Sequence, residues 1–264
     1  MKKSISAVTI ILLLILSVNA VAQNTLSDDR LAHEGRRIGR AYHLAVKSGD
    51  VDMQNDALNQ FNEILITLRK QSQADILSKA FNNVNIVLNT PEKDALLYSR
   101  ALMNAKARKD SIAIMDAIDI AKSVKDFYAI ERSNNDAERY YNLYDHAVTG
   151  ADLGNEYRMT TDAMNRMDII STANEIRQSL ESDSTASEIF NDSFDYYSIA
   201  LKTPEEDAIY FSTEMKKATA SGQQSQVDAI SRIIGMVFER YKFDCNDEAA
   251  TLFNTRLNEL ISTK

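Results

Sequence analysis

The chain has 264 residues, of which 44% are hydrophobic and 26% charged, and its formal net charge is −8. These fractions are ordinary for a globular protein. The acidic balance argues against nucleic-acid binding, which needs clustered lysine and arginine, and it is compatible with a cationic partner. Cys245 is the only cysteine, so no internal disulfide can form and the fold must be held together by packing.

The first 22 residues are typical of a secretory signal peptide. Two lysines come before an apolar run over residues 8–18, and Ala20 and Ala22 supply the small residues of a cleavage site. The run is shorter than the roughly 20 residues that span a bilayer, although an uncleaved anchor is the alternative interpretation. We therefore expect an exported protein, periplasmic or extracellular, that begins at Gln23 and has no stable membrane insertion after cleavage.

The remaining residues are predicted to form an all-α fold. Apolar side chains recur at spacings of three and four, as in the stripe that contains Ala57, Leu58, Phe61 and Leu65. Seven glycines and two prolines leave few positions for the turns between strands. We expect helical hairpins in a tandem-duplicated, solenoid-like or bundle arrangement.

The two prolines mark predicted helix starts. Thr90 and Thr203 are suited to cap a helix N-terminus, and Pro91 and Pro204 follow at the first helical position, where the missing N–H costs nothing. Glu206 can complete a capping box with Thr203. Each cap contributes about 1 kcal/mol, so local structure explains this phrase without any catalytic role.

The helix starts belong to a longer repeat. The phrases LNTPEKDALLYS and LKTPEEDAIYFS lie 113 residues apart, and a weaker match places Tyr42 over Tyr144 at an offset of 102. Other short matches give offsets between these two values. We infer a tandem duplication of residues 30–132 and 136–243, followed by a C-terminal helix. The predicted domains are the signal peptide 1–22, the first helical half 23–132, and the second half with the C-terminal helix, 133–264.

Four helical hairpins are expected within the duplication. The motif Asp-Ala-(Leu/Ile/Met) occurs at positions 56, 116, 162 and 228, and each copy follows a polar break. The break before the third copy, TGADLGNE, places Gly150 and Gly154 in a predicted turn. Single amphipathic helices are expected over residues 73–88 and 184–201, between the hairpins.

The first hairpin resembles tetratricopeptide-type repeats. The segments IGRAYHLAVKSGD and DALNQF contain that family's Gly-x-x-Tyr spacing at Gly39 and Tyr42, a Gly-Asp turn, and an alanine followed by an aromatic residue. The resemblance covers residues 38–61 well and the other hairpins loosely, because their spacings differ from the family's 34-residue period. It implies a helical-repeat architecture with concave surfaces that bind proteins or peptides, and it transfers no site residues.

The sequence contains no motif for a metal or a cofactor, and no cofactor is expected. His33, His43 and His146 match no zinc-binding spacing, and no Gly-x-Ser-x-Gly segment occurs. His43 and His146 fall one position apart in the proposed alignment of the two halves. They are either a paired site across the halves or polar residues of the helix surfaces.

The candidate partner-binding residues are tyrosines. Tyrosine combines an apolar ring with a polar tip and is favoured at contact surfaces. Stripes of tyrosine are also typical of a core with a solvent-facing edge. The seven candidates are Tyr42, Tyr98, Tyr140, Tyr141, Tyr144, Tyr196 and Tyr197.

We expect an exported, non-catalytic helical-repeat protein that binds a protein or peptide partner. One alternative is an all-helical enzyme that acts on polysaccharide, with Arg37, Arg40, Tyr42 and His43 as its candidate residues. Another is a structural component of the cell envelope. A pocket that holds His43, Tyr42 and an arginine favours the enzyme, whereas an extended groove lined by tyrosine and carboxylate favours partner binding.

Overall fold

The computed structural model describes residues 26–262, and the predicted signal peptide lies outside the described residues. Of the described residues 85% are helical and none is in a strand, which confirms the all-α prediction. The helices, in chain order, are α1 (Asp28–Ser48), α2 (Val51–Thr67), α3 (Gln71–Asn82), α4 (Pro91–Arg108), α5 (Ser111–Glu131), α6 (Asn134–Met159), α7 (Ala163–Ser179), α8 (Ser184–Ser198), α9 (Pro204–Ser221), α10 (Gln224–Asp244) and α11 (Asp247–Ser262).

The chain divides into two compact units, and the division falls inside α6, between Asn142 and Leu143. The sequence predicted a boundary ten residues earlier, at the turn between α5 and α6. The later position follows from the continuity of α6, whose 26 residues run without a break. The first part of this helix lies in the first unit and the rest lies in the second.

The helices repeat with a constant displacement. Helices α4 and α9 each have 18 residues, α5 and α10 each have 21, and α2 and α7 each have 17. From α3 onward, each first-copy helix starts 113 residues before its counterpart, and α11 starts 113 residues after α6. Helix α11 is therefore the counterpart of the first part of α6. The prediction that it lies outside the duplication was wrong.

A buried aspartate and tyrosine join the same two helices in each copy. The Tyr128 hydroxyl donates to the Asp94 carboxylate at 2.8 Å, and 113 residues later Tyr241 donates to Asp207 at 2.7 Å. Each carboxylate also accepts the backbone N–H that lies five residues before it. Burial first, and then the neighbouring aspartate, raises the pKa of both phenols. The pair thus ties the loop that precedes α4 or α9 to the following helix.

An aromatic cluster covers this pair in both copies. Tyr128 stacks on Tyr140 with ring centroids 5.4 Å apart, and at the equivalent positions Tyr241 lies 5.4 Å from Phe253. A second ring meets each pair edge-on, Tyr98 in the first copy and Phe211 in the second. The third helix of each cluster is α6 or α11, which confirms that these helices are equivalent.

Glycines allow one helix pair in each copy to approach very closely. A Cβ atom on Gly35 would lie 2.6 Å from the carbonyl oxygen of Leu77, and one on Gly39 would lie 2.5 Å from that of Phe81. Gly150 and Gly154 make the equivalent close approaches to backbone carbonyls of α8. Real Cβ contacts are longer than these distances, so any side chain would force the helices apart.

The predicted turn at Gly150 and Gly154 was therefore wrong. Their four-residue spacing places both on one face of α6, one turn apart. They lie 115 residues after their first-copy equivalents, and at the same displacement Tyr42 corresponds to Tyr157, not to Tyr144. The ring centroid of Tyr42 lies 5.6 Å from that of Phe81, and the equivalent distance from Tyr157 is 6.2 Å.

The predicted helix starts at the two prolines are confirmed. The Thr90 hydroxyl accepts the Lys93 backbone N–H at 3.4 Å, and Thr203 and Glu206 form a complete capping box. The single helices end earlier than predicted, α3 at Asn82 and α8 at Ser198.

Gly39→Ala is expected to lower the free energy of unfolding by about 1–3 kcal/mol, because the new methyl group overpacks the contact between α1 and α3. Gly235→Ala is the matched control: this glycine lies within α10 and a Cβ there meets nothing within 4 Å. The control is expected to gain about 0.5–1 kcal/mol. Urea unfolding of both variants measures the difference, and a stabilised Gly39→Ala variant would contradict the packing described.

Tyr128→Phe and Tyr241→Phe are each expected to lower the free energy of unfolding by about 1.5–3 kcal/mol, because each removes a hydrogen bond to a buried carboxylate. Tyr210→Phe is the control, since Tyr210 is 54% exposed, and no change is expected there. Thermal unfolding followed by circular dichroism measures all three. A large effect from one buried tyrosine and none from the other would show that the two positions are not equivalent.

Candidate functional site

The seven predicted tyrosines do not form one exposed surface. Four are buried in this structure, two are half-buried, and one is 36% exposed. Those buried are Tyr140, Tyr144, Tyr196 and Tyr197; Tyr42 and Tyr98 are half-buried; Tyr141 is the exposed one. The buried rings take part in the core.

Tyr196 and Tyr197 surround a buried cation. The guanidinium of Arg240 lies 5.1 Å from the ring centre of Tyr196 and 5.3 Å from that of Tyr197. Arg240 is only 2% exposed and forms an ion pair with Asp244. The faces of aromatic rings attract cations, more strongly where water is excluded. These two tyrosines therefore stabilise a buried arginine within the second unit.

The residues suggested for an enzyme face different helices. Arg37 donates to Glu34 on its own helix and to Gln60 on α2. Arg40 faces α5, and the ring of Tyr42 lies against Phe81 on α3. The ring centroid of His43 lies 6.1 Å from that of Tyr42. The predicted site with Arg37, Arg40, Tyr42 and His43 is not assembled in this structure.

A cluster of charged side chains joins α1 to α5. His33 Nδ1 lies 2.8 Å from an Asp116 carboxylate oxygen, and the other Asp116 oxygen accepts from Arg36 Nε at 2.9 Å. The Arg40 guanidinium is 3.7 Å from Asp116 and 4.0 Å from Asp119. His33 Nε2 is 3.8 Å from Asp119. Three cationic or basic side chains of one helix thus surround two carboxylates of the other.

Burial and ion pairing compete in this cluster. Burial alone raises the pKa of Asp116, but hydrogen bonds from Arg36 and His33 outweigh it, so the pKa lies below its ordinary value. Burial lowers the pKa of Arg40, partly offset by Asp116 and Asp119. His33 is 2% exposed and Arg40 is 4% exposed. Because the histidine lies between two carboxylates and is buried, the cluster is a helix–helix contact and not an open acid–base site.

The second copy has no such cluster. At the displacement of 115 residues, Val148, Ala151 and Asn155 of α6 replace His33, Arg36 and Arg40. The repeated fold therefore does not require these charges. His43 and His146 are not equivalent at this displacement either, so the prediction of a histidine pair across the copies loses its basis; both side chains are half-buried.

Helix α2 is an outer helix that packs on α1 and buries only Ala57. Its uncovered side bears large apolar residues that we call the α2 stripe: Val51, Leu58, Leu65 and Ile66. Val51 is 63% exposed, Leu58 37% and Ile66 82%, and Leu65 is half-buried. The first three are seven residues apart, the spacing at which helices pack along one another. This stripe is the strongest candidate for a binding surface.

Carboxylates lie beside the stripe. Asp52, Asp56 and Glu63 are all exposed, and we call them the acidic row. Helix α2 contains no lysine or arginine. Among the described residues none of the three carboxylates forms an ion pair with a cation. The outer side of α2 therefore combines uncovered apolar area with unneutralised negative charge.

Helix α7, the counterpart of α2, differs in both respects. It carries two arginines and two acids, Arg166, Arg177, Asp168 and Glu175. Arg177 occupies the position that corresponds to Leu65. The exposed apolar side chains of α7 are Met164 and Met167, near its start. The α2 stripe and the acidic row therefore occur in the first copy alone.

Sequence periodicity did not identify this surface. The predicted stripe assigned Leu58 to the same buried face as Ala57 and Phe61. In the structure Ala57 is 3% exposed, Phe61 is half-buried, and Leu58 lies at the uncovered edge. The available signals were the seven-residue spacing and the absence of bases from a helix with three acids.

Other features of the described residues give no further site. Among them, no group of histidine, cysteine and carboxylate side chains is arranged to hold a metal ion, and no helix is long and apolar enough to cross a membrane. Cys245 is exposed at the end of α10, not half-buried as predicted. Comparison with protein-family models, curated proteins and solved structures finds no match.

Asp116→Asn is expected to lower the free energy of unfolding at neutral pH by about 1.5–3 kcal/mol, because it removes charged hydrogen bonds. The folded pKa of Asp116 lies below the ordinary 3.8, so its stabilisation is present above about pH 4 and is lost as the pH falls through the folded value. The variant should therefore lose less stability on acidification than the wild type.

Urea unfolding between pH 3 and pH 7 measures this difference, with Asp52→Asn as the control, since Asp52 is exposed. Parallel losses in the wild type and Asp116→Asn would contradict the stabilising role assigned to the cluster.

Proposed function

We propose that this chain is an exported, non-catalytic helical-repeat protein that binds another protein or a peptide in the periplasm or outside the cell. The observation that supports this function is the α2 stripe, an uncovered apolar side of an outer helix. Export rests on the signal-like segment 1–22, and the binding role rests on α2.

Burial of the stripe supplies a driving force for binding. Covering a large aliphatic side chain contributes about 1.5–3 kcal/mol when it is fully removed from water. Single exposed apolar residues are normal on a protein surface, but a continuous line of them on one helix is typical of an interaction site. The seven-residue spacing suits a partner that lies along α2.

The repeat explains how such a surface arises. In each copy, the close helix pair that contains the glycines forms the inner layer, and the following hairpin helix is left on the outside. An outer helix needs only a narrow buried face, so its other positions are free to change. The second copy has mixed charges there, whereas the first has the stripe and the acidic row.

A photo-crosslinking residue at Asn62 is expected to capture one discrete partner in cells that export the protein. Asn62 is exposed and lies between Leu58 and Ile66 on the α2 surface. Asn174, exposed and 112 residues later on α7, is the matched control. The adduct should be detected by immunoblotting and identified by mass spectrometry.

Leu58→Ser and Ile66→Ser should each weaken that adduct, because they remove apolar area from the stripe while leaving the crosslinker in place. Circular dichroism should show unchanged helix content, since both side chains are already at least 37% exposed. No discrete adduct at position 62, or an equal adduct at position 174, would refute the proposed function.

A further inference from the structure

The acidic row and the α2 stripe together define the chemistry of the partner. At about 100° per residue, Asp52, Asp56 and Glu63 fall within roughly 40° of one another around the axis of α2. Ile66 lies between them and the rest of the stripe. The helix therefore presents a line of apolar side chains with a line of carboxylates along one flank, both extending over its whole length.

This arrangement disfavours the isolated helix. Asp52 and Asp56 are four residues apart, the spacing at which like charges on a helix repel, and no base on α2 offsets them. Asp52 interacts favourably with the N-terminus of α2, but Asp56 and Glu63 lie beyond the first turn, where that effect has decayed. A row of cations from another molecule would relieve the repulsion.

We propose that α2 binds a basic amphipathic α-helix. Its apolar face covers the α2 stripe, and its lysine or arginine side chains pair with the acidic row. The proposal rests on the proposed function and adds the chemistry of the partner. From Val51 to Ile66 the stripe is about 22 Å long at 1.5 Å per residue, which corresponds to a partner helix of about four turns.

Charge excludes two other occupants of this face. A second copy of the chain would bring its own acidic row against this one, and like charges across an interface are unfavourable. An anionic membrane surface would be repelled in the same way, because attraction to anionic lipid requires lysine and arginine. A partner helix with basic residues beside its apolar stripe satisfies both features of α2.

The test uses the mature chain from Gln23 and three fluorescein-labelled 15-residue peptides. The first is a leucine–lysine helix with its leucines on one face. The second has the same composition with the leucines scattered, and the third has glutamate in place of lysine. Fluorescence anisotropy should show binding of the first peptide alone, and this binding should weaken as salt is raised.

Paired variants assign the binding to α2. The triple variant Asp52→Asn, Asp56→Asn, Glu63→Gln should weaken binding by about tenfold or more, because it removes three charge pairs at an interface. The control is Asp168→Asn with Glu175→Gln on α7; these acids correspond to Asp56 and Glu63 and are also exposed. The control should bind the peptide nearly as well as the wild type.

The outcomes separate this inference from the proposed function. Equal binding of the acidic peptide, or equal loss in the α7 control, overturns the basic-helix assignment. If the Asn62 crosslinker captures a stripe-dependent partner but the basic peptide does not bind, the inference fails and the proposed function stands. If neither occurs, both fail.

Discussion

Direct contact between helix backbones organises each copy of the repeat. Gly35 and Gly39 allow α1 to lie against the carbonyl groups of α3, and Gly150 and Gly154 do the same for α6 and α8. This close approach leaves no room for a side chain between the two helices. The intervening helix, α2 or α7, is consequently displaced to the outside, where most of its surface faces solvent.

The sequence predicted features that local physics controls and missed those that depend on tertiary packing. Thr90 and Thr203 cap helices through contacts within a few residues, so their role and the duplication were evident. Gly150 was assigned to a turn because glycine favours turns locally, whereas the neighbouring helix requires it inside α6. Tyr196 was a surface candidate because composition does not reveal that Arg240 lies beneath it. Leu58 follows helical periodicity, which does not show where burial ends.

The two copies share their packing and differ in their charges. The aspartate–tyrosine pairs, the aromatic clusters and the glycine contacts occur in both, and they account for the fold. The charged cluster around Asp116 occurs only in the first copy, and Arg240 with its tyrosines only in the second. Differences that the common fold does not require are the places where function can diverge. The α2 stripe and the acidic row are the largest such difference that faces solvent.

An experimental structure of the mature chain tests the central claim, that one helical module occurs twice and turns a different outer helix to solvent in each copy. Superposition of residues 71–146 on residues 184–259 should align the tyrosine–aspartate pairs and leave α6 unbroken at Gly150. A turn at Gly150, with that glycine exposed to water, would contradict the account.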